Sequence, residues 1–176
     1  PLPFPEKPQY INNSYIDDFT SSNLKLDWTF IRVPKQNTIS LTDNPGHLRL
    51  YPQSTTIENR KNFSMIGFRQ RESDFDYQVK MNFMPKKNKV ESGIIHYQKE
   101  HNYLTSVVYK VGKKFFLEQM LKEKDKNVTS LKKVHLKKYS GSIIFETESR
   151  EDKYTFYYSL DNGETFTSFN SIDAIK

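Results

Sequence analysis

The sequence predicts an almost wholly β protein, folded as a two-sheet antiparallel β-sandwich. Three observations carry that prediction. Aromatic residues make up 14% of the 176, with 13 Phe and 11 Tyr, a richness that suits pleated, half-buried surfaces better than helices. Apolar side chains recur at period two over several separate stretches. Turn residues punctuate those stretches at short spacing, as two packed antiparallel sheets require.

Taken in order, Pro1-Leu2-Pro3-Phe4-Pro5-Glu6-Lys7-Pro8 holds four prolines in eight residues and is expected to be extended and semi-rigid. Residues 1–14 read as an interdomain linker and 15–176 as the sandwich. Leu24, Leu26, Trp28 and Phe30 alternate with Lys25, Asp27 and Thr29, and Leu48 and Leu50 flank Arg49. Phe75, Tyr77, Val79, Met81 and Phe83 alternate with Asp76, Gln78, Lys80 and Asn82, the cleanest strand signal in the chain. Ile94 to Tyr97 and Leu104 to Tyr109 are more continuously apolar, the pattern of central strands. Phe115 to Lys122 has mixed spacing that also suits a helix; it is read as a strand because its neighbours run at period two. Tyr154, Phe156, Tyr158 and Leu160 give the last clear alternation. Breakers stand between these runs at Asn44-Pro45-Gly46, Met84-Pro85, Val111-Gly112, Ser140-Gly141 and Asp161-Asn162-Gly163.

Composition bounds the function. No apolar run approaches the ~18 residues of a membrane span, and no secretory n-region and h-region opens the chain, which starts at Pro1 and reads as a processed or excised piece. Cysteine is absent, which excludes disulfides and thiolate metal sites but leaves the compartment open. An extracytoplasmic location, periplasmic or secreted, is the expectation. The net charge of +6 comes from 27 Lys+Arg against 21 Asp+Glu. Its lysine runs, such as Lys86-Lys87-Asn88-Lys89 and Lys132 to Lys138, are interrupted by acids or fall at turns. They read as a solvated surface rather than a nucleic-acid or acidic-polysaccharide site.

Candidate chemistry is sparse. Hydrolysis by a pair of carboxyl groups acting as acid and base needs the two ~5–10 Å apart across the bond to be broken. Asp74 with Asp76, and Glu146 with Glu148, share strand faces but alternate with apolar residues, which puts both pairs on the solvent side. Ser159-Leu160-Asp161-Asn162-Gly163-Glu164-Thr165-Phe166 fits a Ser-x-Asp-x-Gly-x-x-aromatic pattern in which the Asp braces a hairpin turn. Among the histidines, His96 and His101 flank a short turn, His47 lies in a turn, and His135 alternates with Lys133 and Lys137 on a polar face. Two imidazoles alone make a poor zinc site. The sequons at Asn12, Asn62 and Asn127 are as expected by chance in an Asn-rich chain.

Several motifs recur in a familiar order: Asp17-Asp18-Phe19, Trp28 through Arg32-Val33-Pro34, Pro45 to Leu50, Phe68-Arg69-Gln70-Arg71, Phe83-Met84-Pro85, Ser92-Gly93-Ile94, Asn102-Tyr103 and Tyr154 to Gly163. Together they resemble the C-terminal concanavalin-A-like jelly-roll sandwich of glycoside hydrolase family 43 β-xylosidases and α-L-arabinofuranosidases. The resemblance implies that acid and base lie in a separate five-bladed β-propeller, leaving no catalytic residue here. The chain is then a non-catalytic accessory domain of a xylan-degrading enzyme acting on β-xylosides or α-L-arabinofuranosides, packed on that propeller in the same polypeptide. The alternative is an autonomous carbohydrate-binding sandwich for plant cell-wall oligosaccharides, with Tyr97, Tyr103, Tyr109 and Tyr157 as stacking platforms. Sandwiches of this kind often hold a structural calcium, for which Asp17 and Asp18 are the candidate ligands. The family continues through further strands and an aromatic loop that have no match before Lys176. Either strands are missing or the sandwich is completed from elsewhere, and homo-oligomerisation through an open edge is a further expectation.

Overall fold

The computed structural model describes residues 14–33, 37–59, 61, 63–88 and 90–173. Apart from Ser14, the Pro-rich segment read as a linker lies outside these residues, as do Asn12, Asn62 and residues 174–176. The chain divides into two compact units, one of residues up to 56 with 61–69, the other of 57–60 with 70 onward.

In the first unit the strands are minimal. β1 (Trp28–Thr29), β2 (Ile39–Ser40), β3 (Arg49–Leu50) and β4 (Gly67–Phe68) form two two-stranded ladders, β1 with β4 and β2 with β3. Side chains do what long ladders do elsewhere. The Trp28 ring meets Tyr15, Phe19 and Phe68 at centroid distances of 6.5, 5.5 and 5.6 Å. The alternation from Leu24 to Phe30 yields a strand only at Trp28–Thr29. Before it the chain turns, closed by Trp28 N–H donating to the Lys25 carbonyl at 3.2 Å. Leu26 at the apex is 100% exposed, which corrects its expected place on a buried face.

The second unit is the sandwich. A 3-10 turn at Ile57–Asn59 belongs to it. Its strands are β5 (Phe75–Asn82), β6 (Glu91–Lys99), β7 (Asn102–Val111), β8 (Lys114–Lys122), β9 (Thr129–His135), β10 (Ser142–Arg150), β11 (Lys153–Ser159) and β12 (Thr167–Asp173). They form two four-stranded antiparallel sheets, ordered β12-β11-β10-β5 and β6-β7-β8-β9. The Phe115–Lys122 segment is a strand, as its neighbours' period implied. β7 is central, but β6, also expected there, is an edge strand of its sheet.

The core lies between the sheets. Leu104, Val108 and Leu117 from one meet Ile143, Phe145, Phe156 and Phe169 from the other, with Val79, Met81, Tyr154 and Tyr158 packed around them. Burying each such Leu or Phe contributes about 1.5–3 kcal/mol. Polar groups cross this core in one line. Gln119, 0% exposed, donates from Nε2 to Ser106 Oγ at 3.2 Å and accepts from Asn170 Nδ2 at 2.6 Å. That line ties β8 to β12 and fixes how the sheets sit on each other. The Thr147 hydroxyl is buried with no hydrogen-bond partner among the described residues.

Two local features follow from backbone chemistry. Gly93 of β6 lies so close to β7 that a methyl group there would stand 1.9 Å from the Ser106 carbonyl oxygen and 2.8 Å from Val107 Cα. Only glycine permits that approach. At the β11–β12 connection, the Asp161 carboxylate accepts from Ser159 Oγ at 2.7 Å, Thr165 N at 3.0 Å and Thr165 Oγ1 at 2.5 Å. Asn162 and Gly163 adopt φ of +63° and +92°. The brace expected from the Ser-x-Asp-x-Gly pattern is in place, and these hydrogen bonds hold the Asp161 carboxyl far below the usual carboxylate range.

Candidate functional site

On the outer face of the β12-β11-β10-β5 sheet, register places Gln78, Glu146 and Tyr157 in one row and Asp76, Glu148 and Thr155 in the next. The inward-facing partners of these residues, Phe145 and Phe156, are in the core. The Gln78 amide donates to Glu146, and the Tyr157 hydroxyl donates to Glu148 Oε2 at 3.1 Å. Burial first, then that carboxylate, pushes the Tyr157 hydroxyl above the usual phenol range. Arg150 reaches Asp76 Oδ1 at 2.5 Å, and Asp74 Oδ1 accepts from the Glu151 backbone N–H at 3.2 Å. The acidic pairs thus hold the sheet face together through hydrogen bonds.

The other three candidate tyrosines lie on the β6-β7-β8-β9 sheet, on the face opposite Leu104 and Val108. Tyr97 and Tyr103 are cross-strand partners. Tyr103 is only 6% exposed, which removes it as a stacking platform. Its hydroxyl is pushed up by burial and by Glu58 and Glu91. Tyr109 has a different setting. Across four strands the register aligns Glu91, Tyr109, Phe116 and His135. Tyr109 and Phe116 rings are 5.9 Å apart at 28°, and Phe116 and His135 are 5.4 Å apart at 34°.

Beside this row runs a polar one. Glu118 Oε1 accepts from Ser130 Oγ at 2.6 Å, Glu118 Oε2 accepts from the Tyr109 hydroxyl, and Lys133 Nζ lies 4.0 Å from the same Oε2. Burial pushes Glu118 up, but the bonds from Ser130 and Tyr109 and the charge of Lys133 outweigh it and hold the carboxyl below its usual range. Lys133 Nζ also sits over the rings of Phe116 and Tyr109, 4.6 and 5.2 Å from their centroids. Sequence reading singled out Tyr109 but not Phe116, and it placed His135 on a merely polar face. The signal that joins them is register, since 109 and 116 face each other only once the hairpin at Gly112 sets their pairing, and 135 reaches them only once β9 pairs with β8.

Asp17 and Asp18 belong to the first unit and are engaged locally. Asp17 Oδ2 accepts from Trp28 Nε1 at 2.7 Å, and Oδ1 accepts from Phe19 N at 3.1 Å and faces Lys25 Nζ at 3.3 Å. Burial raises the Asp17 pKa, but these partners outweigh it and set it below the ordinary value. Asp18 caps its own turn through Thr20 N and Oγ1, at 3.1 and 2.8 Å. Both carboxylates are thus engaged within their own turns, and among the described residues no group of three or more His, Asp or Glu gathers around them. A small crevice in the same unit is lined by Phe30, Ile39, Phe63 and Met65 with Arg32 and Thr38, and no acid lines it among the described residues. In the sandwich, His96 packs against Tyr154 and Phe156, at 5.9 and 5.4 Å. Loss of hydration there lowers its pKa to about 4, so it serves the core as a neutral ring.

Comparison with known proteins adds the family. Residues 16–176 match the domain family described as the β-xylosidase C-terminal concanavalin A-like domain. The chain is 31% identical over 157 residues to a non-reducing-end α-L-arabinofuranosidase of Bacteroides ovatus, covering 87% of this chain and 29% of that protein. Among solved structures, Bacteroides ovatus Xyloglucan PUL GH43B superposes with a TM-score of 0.82 at 27% identity, over 97% of this chain and 33% of that one. A GH43 protein from Bacillus licheniformis gives 0.81 at 25% identity, over 90% and 30%. The chain therefore spans about a third or less of the proteins it resembles.

Proposed function

This chain belongs to the β-xylosidase C-terminal concanavalin A-like domain family, and from that premise we propose that it is the non-catalytic accessory sandwich of a xylan-degrading glycoside hydrolase. The parent enzyme is of β-xylosidase or α-L-arabinofuranosidase type, and the sandwich packs on a catalytic five-bladed β-propeller of the same polypeptide. One observation carries this reading. The match runs over residues 16–176, yet relatives bearing glycosidase names are about three times as long. The geometry agrees with a supporting role, because the paired acids of the sandwich lie on an open sheet face bonded to Gln78, Tyr157 and Arg150. An extracytoplasmic location goes with a plant cell-wall substrate.

The test is made in the parent polypeptide. Removing this domain is expected to lower the melting temperature of the catalytic part and its turnover of aryl β-xyloside or aryl α-L-arabinofuranoside. Adding the chain back in trans is expected to restore part of both. A catalytic part that is equally stable and active without the domain would refute the accessory role.

A further inference from the structure

We propose that the cross-strand row Tyr109–Phe116–His135, with Lys133 and Glu118 beside it, is a binding site for an extended neutral oligosaccharide of pyranose units. Three features of the row point to that chemistry. Tyr109, Phe116 and His135 stand on adjacent strands with centroids 5.9 and 5.4 Å apart and planes within 34° of their neighbours. That spacing is on the scale of one sugar ring per aromatic ring. A single cation, Lys133 Nζ, lies over both Tyr109 and Phe116, so the two ring faces open to the same side, where the C–H face of a sugar would lie. The adjoining row offers what hydroxyls need: a carboxylate acceptor at Glu118, the Ser130 hydroxyl, and an ammonium donor.

Lys133 now covers the faces that a sugar would use. Its side chain is about half exposed, 46%, and its stem is long and flexible. A pyranose ring entering the row displaces the ammonium from the ring faces, and the ammonium then donates to a sugar hydroxyl at the rim. The bonds that tie Glu118 to Tyr109 and Ser130 hold the acceptor in place beforehand, which lowers the ordering cost of binding. Tyr157, on the other sheet, takes no part.

This site rests on the reading that the parent enzyme acts on polysaccharide, and its test is separate from that one. Xylohexaose is titrated into the full 176-residue chain and followed by backbone amide shifts. Saturable shifts clustered on β7, β8 and β9 around 109, 116, 118, 133 and 135 are expected, with Kd in the millimolar range. Phe116→Leu, which keeps apolar bulk, and His135→Ala, at an exposed position, should each weaken binding by about threefold or more. Tyr157→Ala should leave it unchanged. No shifts up to about 20 mM, shifts confined to the other sheet, or variants binding as the parent sequence does would each overturn the site. A chain that supports its catalytic partner in trans but shows no such shifts loses only the site and keeps the accessory role.

Discussion

Acidification should weaken the sandwich through a single buried imidazole. His96 sits against Tyr154 and Phe156, and loss of hydration lowers its pKa from 6.5 to about 4. Between those two values the unfolded chain binds a proton that the folded chain refuses, so stability falls as pH falls through 6.5 and levels off below about 4. Going from about pH 7.5 to about pH 4.5, this one group withdraws about 2.5 kcal/mol. That is a large share of a small domain's margin. Urea unfolding followed by far-UV circular dichroism at both pH values, at fixed salt, measures the loss. Trp28 fluorescence is the wrong probe, since that residue lies in the other compact unit. Carboxylates such as Asp161 and Glu118, whose pKa values are depressed, lose their contribution at still lower pH and add a background. His96→Leu removes the imidazole and keeps the background, so the difference in acid loss between the two proteins isolates His96. An equal acid loss in both, or an imidazole signal from His96 titrating near 6.5 by NMR, would refute the reasoning.

Three further outcomes follow from the same geometry. Thr147→Val exchanges an unpartnered buried hydroxyl for a methyl of similar shape and should raise unfolding stability by about 1–2 kcal/mol in urea melts; a loss would mean that the hydroxyl has a partner. Gly93→Ala would press a methyl to 1.9 Å from the Ser106 carbonyl, so β6 must separate from β7. A cost above about 2 kcal/mol is expected, with amide exchange accelerated along β6, and a cost under about 0.5 kcal/mol would disprove the close approach. Asp161→Ala frees the β11–β12 connection and should lower the melting temperature. The stabilisation lost in that variant is present above the ordinary carboxylate pKa and disappears as pH falls through the depressed value, so the variant and the parent sequence should converge in strong acid.

Much of the sandwich was legible in sequence because a half-buried strand writes its face into the chain. Phe75 to Phe83 and Tyr154 to Leu160 show this, with Val79, Met81, Tyr154, Phe156 and Tyr158 all at the core. The hairpin brace at Asp161 was legible for a different reason: its donors and acceptor lie within seven residues, from Ser159 to Thr165. The first unit was less so. Its strands are two residues long, and its order comes from the Trp28 cluster and Asp17, contacts that period does not encode. Tyr103 shows a second limit. Alternation says which face a side chain takes but not whether that face is covered, and from Tyr103 to Val108 β7 is buried on both sides. The row from Tyr109 through Phe116 to His135 shows a third, because a constellation spread over three strands exists only after their register is set.

A hydrolysis assay of the chain alone tests most directly the proposed role, a sandwich that supports a glycosidase without performing its chemistry. With aryl β-xyloside and aryl α-L-arabinofuranoside, no aryl alcohol should be released above the buffer rate at any pH where the chain is folded. Turnover that disappears on Glu146→Gln or Glu148→Gln would contradict the claim and make the open sheet face an active site.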